Sequence, residues 1–137
     1  MLDAIWEESP DAVLHLGDHA SDCEQIIQTF PGIYLRAVRG NCDFGEAELD
    51  RDEFVLGGKR FFMTHGNLYG VKMGLDSLVN TAMCAEADIV LFGHTHIPFY
   101  DEYGELYIIN PGSVGYDGDY GVIEIDNDRI EYTQKNI

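Results

Sequence analysis

Five residues of this chain have side chains suited to holding a transition-metal ion, and each follows an apolar run. Asp18 follows "AVLHLG", Asn41 follows "YLRAVRG", His65 follows "RFFMT", and His94 and His96 follow "DIVLFG". One carboxylate, one amide oxygen and three imidazoles make a mixed oxygen and nitrogen set. That set suits Mn, Fe, Zn or Ni better than Ca or Mg. A carboxylate such as Asp18 can bridge two ions, and a pair of ions is the usual clamp for in-line displacement at phosphorus. In an extended His-Thr-His segment the two rings point to opposite sides, whereas a turn there aims them at two adjacent ions. Taken singly, a histidine or a Gly-Asp pair is ordinary surface or turn chemistry. What distinguishes these five is that they recur at one structural position. His15, inside "AVLHL", reads as structural, and His19, beside Asp18, is open to facing either the site or solvent, with the solvent-facing reading preferred.

That position is the carboxyl end of a strand. "LDAIWEE" has a short helical pattern cut off by Ser9-Pro10, and "AVLHL" is a compact strand ending at Gly17. "SDCEQIIQTF" reads as a helix with Ser21 as N-cap and Glu24 completing a capping box. "IYLRAV" is the next strand, and the alternation implies a layered sheet with parallel strands. "DEFVLGGKRFFMTHG" is a hairpin turning at Gly57-Gly58, and a helix is expected over about Val71 to Glu86. "DIVLF" is a further strand. Hairpins turning near Tyr103-Gly104 and at Asp126-Asn127-Asp128 complete the chain. In open α/β sheets, ligands bind in the crevice beyond the carboxyl ends of the strands. Four strands therefore deliver Asp18, Asn41, His65 and the His94/His96 pair to one rim. Gly17, Gly40, Gly66 and Gly93 adjoin them, where a backbone must come close to a bound group.

Composition limits the partners. The 137 residues fit a single domain, 1–137, and 45% hydrophobic content supports a core without disulfide staples. Eight Lys plus Arg against 25 Asp plus Glu give a formal charge of −17. Such a surface repels phosphate backbones, so no nucleic-acid-binding face is expected. A small phosphate ester remains acceptable if a metal supplies the local positive charge. Cys23, Cys42 and Cys84 are odd in number and widely spaced, and "MLDAIWEESP" has no signal-like pattern. A cytoplasmic protein with free thiols and no membrane segment is expected.

With these residues placed, the chain resembles the calcineurin-like metallophosphoesterases, in particular the small YfcE-like phosphodiesterase branch. The resemblance runs from about Ala12 onward through "LGD", "RGNCD", "MTHG", "FGHTH" and "INPGSV", in family order. It implies an α/β (α+β) fold, a two-sheet sandwich of mixed strands flanked by helices, with a dinuclear metal site at one end. It implies that Asp18 bridges the ions, that Asn41, His65 and His94 complete one shell, and that His96 serves the other. The implied cofactors are two divalent transition-metal ions, Mn first, with Zn, Fe or Ni as alternatives. The implied enzyme is a phosphodiesterase in which a metal-bound hydroxide attacks phosphorus. Many members follow the asparagine with a histidine that protonates the leaving group. Here Cys42 stands there, which leaves the general acid unassigned and favours diesters with good leaving groups. Asp43 reads equally as a loop-orienting or a turn residue, and "NPGS", Asn110 to Ser113, as a turn beside the site.

One family element is absent before Asp18: a strand ending in Asp-x-His that supplies two ligands to the ion His96 serves. The expectation is a chain truncated at its start, with a fragment or a true short form that exchanges elements in a homo-oligomer as alternatives. The competing function is a catalytically impaired or inactive phosphoesterase-fold scaffold for protein interactions.

Overall fold

Strands form where β-branched and aromatic residues are dense, and each stops at a turn residue. The computed structural model describes residues 1–17, 21–40 and 50–137. The elements are α1 (Leu2–Glu8), β1 (Ala12–His15), α2 (Ser21–Thr29), β2 (Tyr34–Ala37), β3 (Arg51–Leu56) and β4 (Lys59–Thr64). A 3-10 turn (Asn67–Tyr69) follows, then α3 (Asp76–Cys84), β5 (Ile89–Leu91), β6 (Phe99–Tyr103) and β7 (Leu106–Asn110). The chain ends with α4 (Val114–Asp117), β8 (Asp119–Asp126) and β9 (Arg129–Asn136).

The central layer is a five-stranded mixed sheet in the order β3-β4-β5-β7-β6, with parallel pairing of β4, β5 and β7. Alternation along its strands builds two cores. On one face Phe62, Val90, Phe92 and Ile108 meet Leu78 and Ala82 of α3. On the other face Phe61, Met63, Ile89, Leu91 and Ile109 are covered by Leu14 and Leu16 from β1 and its end, by Ile123 and Ile125 from β8, and by Ile130 and Tyr132 from β9. Full burial of a Phe, Met, Ile, Leu or Val side chain in these cores contributes about 1.5–3 kcal/mol. The second layer is thus the parallel pair β1-β2 together with the antiparallel pair β8-β9, two separate ladders among the described residues. β2 is fixed over β3 by Arg36, which donates to both Asp52 carboxylate oxygens at 2.6 and 2.9 Å and lies 4.5 Å over the Phe54 ring. β9 is fixed over β6 by Tyr132, stacked on Tyr100 at 5.3 Å. The expected α/β class, the parallel pairs and all three hairpins are present. Gly57 and Gly58, at φ 61° and 79°, make the two-residue turn with both centres left-handed that a twisted hairpin favours.

Two local expectations are corrected. The helix expected over Val71 to Glu86 is shorter, Asp76–Cys84. Gly70 and Gly74 sit at φ 61° and 151°, outside helical space. Val71, buried, packs instead with Phe62 and Leu78 in the core under α3. In α2, Ser21 is the first helical residue rather than the cap preceding it. Among the described residues no helix is long and apolar enough to cross a membrane.

Candidate functional site

The carboxyl ends of β1, β2 and β4 meet at His65. This ring is 2% exposed, one residue past the end of β4. Gly17 shows how close the three segments come. A Cβ built on it would lie 2.7 Å from the Gly40 backbone nitrogen and 2.8 Å from His65 Nδ1. Only a residue without a side chain fits there, and its φ of 101° favours glycine as well. His15 steadies this corner: the Gly17 N–H donates to its Nδ1 at 3.3 Å, and its Nε2 lies 3.2 Å from Asp22 Oδ2. Its reading as a structural residue matches those partners.

Gly17 and Gly40 precede Asp18 and Asn41 in the sequence. Those two predicted ligands, with His19, Cys42 and Asp43, lie outside the described residues. The structure brings two of the other three together. His65 Nδ1 lies 2.7 Å from the Leu16 carbonyl oxygen, which only accepts, so the neutral ring carries its proton there and presents a lone pair at Nε2. That Nε2 is 3.1 Å from His94 Nδ1, with the ring centroids 5.0 Å apart. The pair is satisfied by a proton on His94 or by a cation bound to both nitrogens. Two nitrogens each about 2.1 Å from one ion, at roughly a right angle, lie about 3.0 Å apart. The backbone carbonyl on the far nitrogen of His65 is the usual orienting partner of a metal-ligating imidazole. The spacing of the two nitrogens is compatible with one transition-metal ion, and equally with an imidazole hydrogen bond between the rings. Among the described residues, His65 and His94 alone do not make a full metal-binding group of three or more His, Cys, Asp or Glu side chains.

His96 is placed on the same turn but in different company. The "GHTH" segment is not extended: His94 and His96 both adopt left-handed backbone, at φ 68° and 60°. Non-glycine residues pay about 1–2 kcal/mol each for that conformation, so something must hold it. The holder is Asn110, fully buried at the end of β7. Its amide donates to the Gly93 carbonyl at 3.2 Å and to Thr95 Oγ1 at 2.9 Å, and its Oδ1 accepts from the Gly112 N–H at 2.9 Å. Thr95 Oγ1 also accepts from the Ile97 N–H at 3.2 Å. Across the same seam, a Cβ on Gly112 would lie 2.9 Å from Pro98 Cγ. The expected turn at "NPGS" is thus physically joined to the histidine turn. His96 stacks on Tyr116 of α4, centroids 4.4 Å apart and planes 24° apart. Stacking covers a ring face and leaves the ring nitrogens, which lie in the plane, available as ligands. Sequence reading did not find Tyr116; the one local hint is Ser113, whose hydroxyl accepts from the Tyr116 N–H at 3.3 Å and caps the short helix.

Comparison with known proteins matches residues 1–128 to the calcineurin-like phosphoesterase superfamily domain. The chain is 30% identical over 128 residues to the probable metallophosphoesterase YsnB of Bacillus subtilis, covering 89% of this chain and 73% of that protein. It is 34% identical over 106 residues to the phosphodiesterase YfcE of Escherichia coli, covering 66% of this chain and 52% of that one. The chain thus spans about half the length of the YfcE protein it matches. Among solved structures, a predicted phosphoesterase from Streptococcus pneumoniae superposes with a TM-score of 0.78 at 27% identity, covering 98% of this chain and 79% of its own. The order of strands, the convergence of their carboxyl ends on His65 and these likenesses agree, and the chain belongs to the calcineurin-like phosphoesterase superfamily.

Proposed function

We propose that this chain is a metal-dependent phosphodiesterase whose ion-binding residues are Asp18, Asn41, His65, His94 and His96, arranged for two divalent transition-metal ions, with Mn preferred. Relatives named as phosphodiesterases and metallophosphoesterases support a phosphoesterase function, and the family implies divalent ions. The observation that carries the reading is the His65–His94 pair, with its 3.1 Å nitrogen separation and its backbone-locked tautomer. When bound, the ions supply Lewis acidity at phosphorus and a water made acidic enough to attack at neutral pH. The chain's own contribution is placement. Leu16 fixes the His65 proton on the far side of the ring. Asn110 holds His94 and His96 in a conformation they would not keep alone. The β4 and β5 ends are locked together, the Gly93 N–H donating to the His65 carbonyl at 2.9 Å.

The test is hydrolysis of bis(p-nitrophenyl) phosphate with added Mn²⁺, beside the His94→Ala variant and with bound Mn measured in both. Turnover and bound metal that both disappear in the variant are the expected result. Folded wild-type protein that binds Mn²⁺ without any turnover supports the inactive scaffold instead. Unchanged metal content in His94→Ala overturns the ligand assignment.

A further inference from the structure

We propose that Tyr116 is a specificity-determining residue of this site, receiving on its open ring face a planar aromatic group of the phosphate ester, such as a nucleoside base or an aryl leaving group. The proposal rests on the phosphoesterase reading and adds the substrate class. Tyr116 lies face to face with His96, yet the residue is 69% exposed. A ring packed on one face and that exposed has its other face in solvent. Ile97, next in the chain after His96, is 67% exposed and adds apolar surface to the same turn.

The ring is held rather than loosely attached. α4 is capped by Ser113, which accepts from the Tyr116 N–H through its hydroxyl and from the Asp117 N–H through its carbonyl at 3.0 Å. The Asn136 side chain donates to the Asp117 carbonyl at 2.7 Å and to Asp119 Oδ1 at 2.9 Å, tying the end of α4 to β9. Asn110 and Gly112 then join this segment to the histidine turn. The platform therefore keeps a fixed position relative to His96. A base stacks on a preorganised aromatic face with little sequence demand, because every base has such a face. The chain carries a formal charge of −17, and stacking adds affinity without needing positive charge.

Equilibrium binding to the Mn²⁺-loaded chain tests this, using adenosine 5′-monophosphate and ribose 5-phosphate as probes, with bound Mn measured throughout. The wild type should bind the base-bearing probe about tenfold more tightly. Tyr116→Leu should lose that preference while its affinity for ribose 5-phosphate and its Mn content stay as they were, and Tyr116→Phe should keep the preference. Equal binding of the two probes by the wild type, or a preference that survives in Tyr116→Leu, overturns the proposal and leaves the phosphoesterase reading intact. Loss of Mn and of both probes in Tyr116→Leu also overturns it, since Tyr116 would then act through His96 as a positioning residue. Binding of neither probe by Mn-loaded wild type counts against the phosphate site itself and removes the proposal with it.

Discussion

Asn110→Ala removes the side chain that holds the histidine turn, and its cost can be worked from the contacts. Three hydrogen bonds disappear: to the Gly93 carbonyl, to Thr95 Oγ1, and from the Gly112 N–H. At about 1 kcal/mol net for each, the ceiling is ~3 kcal/mol. Two of the three partners keep other bonds. The Gly93 carbonyl still accepts from the Thr95 N–H at 2.8 Å, and Thr95 Oγ1 still accepts from the Ile97 N–H. The part-buried Gly112 N–H loses its bond to Oδ1, which costs about 1 kcal/mol, the low end for a stranded donor. A loss of roughly 2–3 kcal/mol in urea unfolding of the metal-free chain follows. The effect on metal is of a different kind. His94 and His96 sit in left-handed backbone worth about 1–2 kcal/mol of strain each, and a freed turn recovers that energy by relaxing. The Mn²⁺ affinity, read by titration calorimetry, should fall about 10- to 100-fold, as it does when an orienting partner is lost elsewhere. Stability within about 0.5 kcal/mol of wild type would refute the energetic account. Lowered stability with unchanged Mn²⁺ affinity would refute the link between Asn110 and the site, showing that Thr95's remaining bonds hold the turn unaided.

Two further predictions concern the corner around His65 and the strand pair over β6. Gly17→Ala should cost roughly 3 kcal/mol or more in urea unfolding, because its Cβ meets the Gly40 backbone and the His65 ring at 2.7–2.8 Å in a left-handed conformation. Gly32→Ala, also left-handed at φ 86° but facing open space, should cost only about 1 kcal/mol, so equal losses would discredit the steric argument. Burial, with a smaller contribution from Asp119, pushes the Tyr132 phenol up to about 12. A raised value means its stabilisation is complete below the ordinary tyrosine value of about 10 and is lost as pH rises through 12, at ~1.4 kcal/mol per unit. Tyr132→Phe should abolish part of the alkaline destabilisation between those limits, on the order of 1 kcal/mol because solvent reaches and screens this half-buried phenol; the check is the difference in urea stability across pH, and parallel curves would count against it.

Elements with local signals were legible in the sequence. The hairpins announced themselves through glycine, asparagine and aspartate pairs between apolar runs, and the parallel strands through short β-branched runs ending in glycine. The helix before β5 is shorter than its apolar pattern suggests, because residues from Val71 onward suit a buried turn as well as a helix, and Gly74 at φ 151° leaves helical space. The division of the second layer into β1-β2 and β8-β9 was not legible. Which strands share hydrogen bonds across the molecule is set by packing on the central sheet, not by any residue's neighbours in the chain.

The site divides the same way, and the division is instructive about what a motif encodes. His65 and His94 were legible because a ligand must leave a strand end, and strand ends are visible as apolar runs closed by glycine. The groups that make them useful were less so, since each acts across a long sequence gap. Leu16 reaches His65 through a backbone carbonyl, which any residue could supply, so no side chain marks it. Asn110 reaches Gly93 and Thr95 from the end of a neighbouring strand, and in the sequence it reads as part of an ordinary turn. Yet Asn110 answers the question that the left-handed φ values of His94 and His96 raise. A turn that strains two histidines needs bonds that hold it, and an asparagine at the end of β7, beside β5 in the sheet, is in reach of that turn because β5 and β7 pair in parallel. Parallel pairing puts both carboxyl ends on one edge, and the positioning residue, like the ligands, must come from there.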